Sequence, residues 1–258
     1  MGAVSRAWAV ALWDLQLGLQ NRLLHVLAAV GLAAGLALLA LAPDPDPVPM
    51  LLLQVLLFFG SLFALLMGWT SGQQARDQGA FLFAQPVRGR ELVLGKLLAM
   101  AAWCVCVLVL VTGPVAVGYG LLAPLISLAT LAFGLLLVAA AAGLVIGIAA
   151  RPAPGLLGAL GAWVVAVAGW EVGLIFLADF PGIADVPAVF VGLLLLNPAG
   201  AFRVAAMVGL EAVPFDTDGL GLWGGVFDSI GAVAAGLFGL WLVALVVGGA
   251  WVVRRQEF

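Results

Sequence analysis

Charge is what this 258-residue chain lacks most: Lys, Arg, Asp and Glu together make up 9% of it, where a soluble domain carries about a quarter. A water-facing exterior is thereby excluded. With 65% hydrophobic residues the chain has room for about five to seven bilayer spans of some 20 residues each, and for no sizeable soluble domain. Histidine occurs once, as His25, and cysteine twice, as Cys104 and Cys106. Two cysteines two positions apart in an apolar run point to different faces of a helix, which excludes a disulfide framework. Neither they, nor His25, nor Met1, Met50, Met67, Met100 and Met207 stand at chelating spacing, so no bound metal is expected. Gly95-Lys96 is followed by Leu97 rather than Ser or Thr and lacks the glycine-rich lead of a phosphate-binding loop, so ATP is not expected on this chain. No nucleophile stands beside the sole histidine and no pair of carboxylates is in evidence, so a non-catalytic chain without a cofactor is expected. No nucleic-acid partner is expected either. The first 22 residues carry Trp8, Trp13, Asp14 and Arg22 instead of a charged start, a short apolar stretch and a cleavage site, and are expected to remain in the mature protein.

What is present is a series of apolar runs. Leu23 to Ala42, Met50 to Thr70, Leu97 to Gly118, Leu121 to Ala150, Gly155 to Ala178 and Ile230 to Val253 are each long enough to span, which predicts an all-α polytopic membrane protein of six transmembrane helices and one domain. Proline and glycine mark the joints, as in residues 43–49 and 151–155. Gly31 and Gly35 stand at the spacing that lets helix backbones approach. Positive residues are retained on the cytoplasmic side of a membrane. With the amino and carboxyl termini inside, Arg6, Arg22, Arg76, Arg88, Arg90, Lys96, Arg151, Arg254 and Arg255 are cytoplasmic and only Arg203 is outside. The acids agree, with eight outside against Asp14, Asp77, Glu91 and Glu257 inside. A multi-pass protein of the inner (cytoplasmic) membrane is therefore expected.

Two segments are neither spans nor simple loops. Over Val4 to Asn21 the residues Val4, Trp8, Leu12, Leu15 and Leu19 follow helical spacing opposite Arg6, Gln16 and Gln20, which predicts a helix lying along the cytoplasmic interface, within residues 1–22. Residues 186–213 are apolar but are broken by Asn197 and Pro198. The stretch before the break is too short to cross a core of about 30 Å, so a re-entrant extracytoplasmic hairpin is predicted. Its backbone must be covered by protein.

The polar loop of residues 71–96 holds Arg76, Asp77, Arg88, Arg90 and Lys96 around the apolar knob Phe81, Leu82 and Phe83, closed by Pro86. The basic residues alone suit anionic headgroups. An exposed apolar knob in such a loop is more naturally buried against another protein. Glu171 is the one charge deep inside a span, where it either holds helices together or lines a polar route.

Six spans with a short amphipathic insert between the second and third, then Pro86-Val87, Arg88, Arg90 and Gly95-Lys96 opening the third, resemble the permease subunits of type-2 ABC exporters. Residues 193–203, LLLLNPAGAFR, with Glu211 beyond Arg203, look like the permease of the nitrous-oxide-reductase maturation transporter. That resemblance implies a homodimer embedded in the lipid bilayer, each copy docking a separate cytoplasmic ATPase, which binds ATP and Mg, through a coupling helix in the Arg76 to Glu91 loop. It also implies a periplasmic repeat protein on the outer face, where Asn197, Pro198, Arg203 and Glu211 would form a docking surface or gate, in the service of copper-site assembly. The chain departs from the family at Gln73, Gln74, Asp77 and Gln78, where Glu and Gly-Thr are usual, and at Gly89, which replaces an Arg. Alternative expectations are a generic exporter permease, a membrane enzyme relying on Glu171, and a structural membrane anchor.

Overall fold

The computed structural model describes residues 3–42, 44–77, 88–178, 187–210, 226 and 229–255, and among them there are helices and no strands. Helix α1 (Ala3–Gln20) and α2 (Arg22–Leu41) are separated only at Asn21. The third helix, α3, runs Val48–Val55, widens into a π turn at Leu56–Gly60 and continues as Ser61–Asp77. It is followed by α4 (Gly89–Tyr119) and α5 (Leu122–Ala149). The next, α6, comprises Pro152–Val164, a second π turn at Val165–Gly169, and Trp170–Ala178. Two short helices, α7 (Pro187–Leu196) and α8 (Pro198–Gly209), precede the final α9 (Ile230–Arg255).

Local chemistry sets the ends. Arg88 has extended backbone (φ −83°, ψ 149°), and the Glu91 carboxylate reaches back to accept its N–H at 3.0 Å, as the acidic half of a capping box does. At the other end of α4, Gly120 takes the left-handed conformation (φ 69°) that stops a helix without a Cβ penalty. That lets α5 start at once in the opposite direction. Pro152 opens α6 at a position whose missing N–H has no helical partner to lose.

Six helices among the described residues are long and apolar enough to cross a bilayer: α2, α3, α4, α5, α6 and α9. The protein is a multi-pass helical membrane protein. About half of α3, α4 and α5 is buried, whereas α2, α6 and α9 expose most of their length, with Leu240, Val243 and Val247 of α9 and Ile175 and Phe176 of α6 facing outward. Such apolar exposure belongs against hydrocarbon. The core is held by backbone contact: a Cβ on Gly72 of α3 would stand 2.5 Å from the Leu144 carbonyl oxygen and 2.8 Å from the Gly147 Cα of α5. Small residues give such helices their attraction through close packing, since lipid is as apolar as the helix. Gly31 and Gly35 serve α2 the same way, both meeting Val111 of α4.

Two expected boundaries move. The second span extends to Asp77 and the third begins at Gly89, so the loop expected over residues 71–96 contracts toward 78–87, which lie outside the described residues. The reason is that Gln73 is not solvated: it is 8% exposed, and its Nε2 donates to the carbonyls of Gly147 (2.6 Å) and Ala150 (2.9 Å) at the carboxyl end of α5. A polar side chain thus continues a membrane helix by closing another helix's last turn. The hairpin stands as expected, α7 and α8 being bent by 109° at Asn197.

Candidate functional site

Polar side chains gather in two places. The first lies toward the end of the bundle that carries Asp77, Gly89 and Arg255, here the arginine end. Helix α1 runs along the first half of α4 in the same direction, with Arg6 opposite Glu91, Asp14 opposite Lys96 and Gly18 opposite Trp103. The approach is close because a Cβ on Gly95 would fall 2.6 Å from the Ala7 carbonyl oxygen. Lys96 Nζ donates to Asp14 Oδ1 at 2.6 Å and to Ser71 Oγ at 3.0 Å, while Ser71 Oγ donates to Asp14 Oδ2 at 3.2 Å. One triangle therefore joins α1, α3 and α4. Nearby, Arg6 Nη2 donates to Glu91 Oε1 at 2.9 Å. The side chains of Lys96 and Asp14 are only 4% and 11% exposed, so each charge relies on the other for the solvation it has lost.

The opposite face of α1 exposes Val4, Trp8, Leu12 and Leu19. An apolar exterior with ion pairs turned inward suits a helix in contact with lipid. It differs from the expected arrangement in that Arg6 faces protein rather than water.

The residues expected to couple to an ATPase are thereby sorted. Arg88, Arg90 and Asp77 are exposed and Arg76 is half-buried, with one guanidinium nitrogen, Nη1, enclosed and without a partner among the described residues. Phe81, Leu82, Phe83 and Pro86 lie outside the described residues. Lys96 is corrected: at 3% exposed and paired with Asp14, it belongs to the interior and not to a docking surface.

The second gathering surrounds the bend of the hairpin. Asn197 Oδ1 accepts the Ala199 N–H at 3.1 Å, capping α8, and its Nδ2 donates to the Ala166 carbonyl at 2.5 Å. Ala166 belongs to the π turn of α6, where the widened ladder offers a carbonyl to an outside donor. Two indoles complete the cover: Trp170 Nε1 donates to Leu193 O and Trp241 Nε1 to Leu196 O, each at 3.0 Å. One turn further along α8, the Arg203 guanidinium pairs with Glu171, their side chains being 20% and 29% exposed. Ala166 and Trp241 are each about 17 Å, by helix rise, from the hairpin-side ends of α6 and α9. The bend is thus held about halfway along α6 and α9. Glu171 thus joins α6 to α8 through Arg203. Glu211 lies outside the described residues.

The other π turn is treated alike. Ser61 Oγ donates to the Leu57 carbonyl and accepts from Trp163 Nε1 at 3.0 Å, and Phe58 meets the Trp163 ring edge-on at a centroid distance of 6.5 Å. Sequence reasoning missed Asp14, Ser71, Gln73, Trp163, Trp170 and Trp241 as structural donors and acceptors. The available signal was slight: each is a polar or indole-bearing residue within or beside an apolar run, and buried polar groups need partners. Among the described residues no three His, Cys, Asp or Glu side chains gather to hold a metal ion. Cys104 is buried and Cys106 exposed, on different faces of α4.

No protein-family model matches this chain, and no curated protein matches it.

Proposed function

We propose that this chain is the permease subunit of a type-2 ABC transporter, working as a homodimer. It converts motion delivered by a separate cytoplasmic ATPase at residues 78–87 into movement at the α7–α8 hairpin. The observation that carries this reading is mechanical. The helices flanking residues 78–87, α3 and α4, are both core helices, and the Asp14, Lys96 and Ser71 triangle clamps them together with α1. A force on that segment is then passed to the bundle as a unit rather than absorbed in a loop. At the far end the bend of the hairpin is covered by single side-chain hydrogen bonds and, among the described residues, one partly exposed ion pair, while Phe202 seats α8 in the core, so that motion of the bundle is passed directly to the hairpin. The arginine end is the cytoplasmic one on this reading, as the distribution of positive charge requires, and the membrane is the inner membrane.

The LLLLNPAGAFR stretch favours service to the maturation of the copper centres of nitrous oxide reductase, with a periplasmic repeat protein on the hairpin side. The alternative is a generic exporter permease. Enzymatic use of Glu171 is disfavoured by its pairing with Arg203, and a pure anchor would have no need of a hairpin bent inside the bundle. Co-purification from the native membrane with a tag at Phe258, followed by an ATPase assay, tests the assignment. A soluble ATPase together with a periplasmic repeat protein is the expected recovery. A lone chain without ATPase activity would remove the proposal. Phe81→Ala combined with Arg88→Ala should abolish stimulated ATPase activity while the protein still inserts; retained stimulation would remove the coupling role of residues 78–87.

A further inference from the structure

The fold brings the two ends of distant helices together at the arginine end. A Cβ on Gly89, the first residue of α4, would lie 2.9 Å from Val253 Cγ1 near the end of α9. Arg88 and Arg90 flank Gly89, and Arg254 and Arg255 follow Val253. Four arginines separated by more than 160 residues of chain are thus gathered around one helix contact, and all four are exposed. Among the described residues none of the four is in an ion pair. The acid that stands closest along the chain, Glu91, is committed to Arg6 and to the Arg88 N–H. Glu257 lies outside the described residues. Like charges so placed repel unless an anion sits among them.

The level of the cluster indicates which anion. Trp251 is 53% exposed, one turn before Arg255, and the Arg255 guanidinium stacks on its ring at 3.9 Å from the centroid. An exposed tryptophan beneath an arginine at the end of a lipid-facing helix is the pattern of a membrane–water interface, where cationic side chains reach the headgroups. We infer that Arg88, Arg90, Arg254 and Arg255 form a binding site for the phosphate of an anionic phospholipid, fixing the α4–α9 junction at the headgroup level. The arginines suit that ligand because a guanidinium fork pairs phosphate oxygens two at a time. The inference does not depend on the transporter assignment.

The test uses the full chain in nanodiscs of mixed phosphatidylcholine and phosphatidylglycerol, with retained lipid identified by native mass spectrometry after release. The wild type should hold phosphatidylglycerol preferentially at low salt, and the preference should fade as salt rises. Arg254→Gln with Arg255→Gln should reduce the enrichment about thirtyfold, at the usual strength of a basic side chain near an anionic surface. Arg254→Lys with Arg255→Lys should lose less than the Gln pair, keeping the charge but not the guanidinium fork, which guards against a variant that simply misfolds. Arg22→Gln with Arg151→Gln, exposed arginines away from the α4–α9 junction, should change it far less. An equal loss from that control pair would overturn the site in favour of diffuse attraction. Unchanged lipid enrichment in the Arg254→Gln, Arg255→Gln variant would overturn it outright.

Discussion

The two polar gatherings are built on opposite plans. At the arginine end, charged side chains are paired deep between α1, α3 and α4 and leave almost no surface to solvent. Around the hairpin, the main-chain breaks of α7–α8 and of the α6 π turn are covered one hydrogen bond at a time by Asn197, Trp170 and Trp241. The one ion pair there among the described residues, Arg203 with Glu171, is partly open. A buried ion pair resists any change in which one partner leaves, because the charge left behind is desolvated and unpaired. Hydrogen bonds from single side chains to carbonyls can be given up in sequence at modest cost each. The difference assigns charge pairing to one end of the bundle and the covering of broken main chain to the other, where α8 is also seated in the core by Phe202.

Five substitutions test that contrast, the strongest at the arginine end. Lys96→Met alone should lower stability by about 3–5 kcal/mol, read as a fall in the thermal midpoint of the detergent-solubilised protein. Adding Asp14→Leu should restore much of it. A single variant that behaves like wild type would mean that the triangle is not a clamp. Gly72→Val should cost up to about 3 kcal/mol by forcing α3 away from α5; because both hairpin and clamp hang on these helices, the accessibility of cysteines introduced at each end should change.

The hairpin should give smaller stability effects and larger functional ones. Asn197→Ala removes the cap of α8 and leaves the Ala166 carbonyl without its donor, for a loss of about 2 kcal/mol. Protease sensitivity at the hairpin is expected to rise while Lys96 and Asp14 stay protected. Glu171→Gln, which leaves Arg203 unpaired beside a span, should cost about 2 kcal/mol. Its measurable consequence should be altered coupling of ATPase turnover to the hairpin in the reconstituted complex. A loss as large as that of Lys96→Met would erase the contrast between the two ends.

The particular residues divide cleanly by what could be read from the chain. The six spans, the bend at Asn197-Pro198 and the closeness of Gly31 and Gly35 to a neighbour were all legible. Each follows from local physics: hydrocarbon thickness, the missing N–H of proline, and the absence of a Cβ. Lys96 and Gln73 were misplaced by the same reading, because a polar residue at a span boundary looks solvated unless its partner is known. Their partners, Asp14 for Lys96 and the Gly147 and Ala150 carbonyls for Gln73, are more than 70 residues away in the chain.

Hydrophobicity by itself therefore determined that this protein is a helical bundle in a membrane, which six helices are long and apolar enough to cross it, and where a further helix pair is broken. It left undecided which helices form the core, since all six spans are apolar enough to face lipid, yet α5 is 56% buried and α9 17%. Tertiary structure decided that through backbone contact at small residues, and decided also which charges meet. In a medium that drives every apolar surface equally, only shape and pairing distinguish inside from outside.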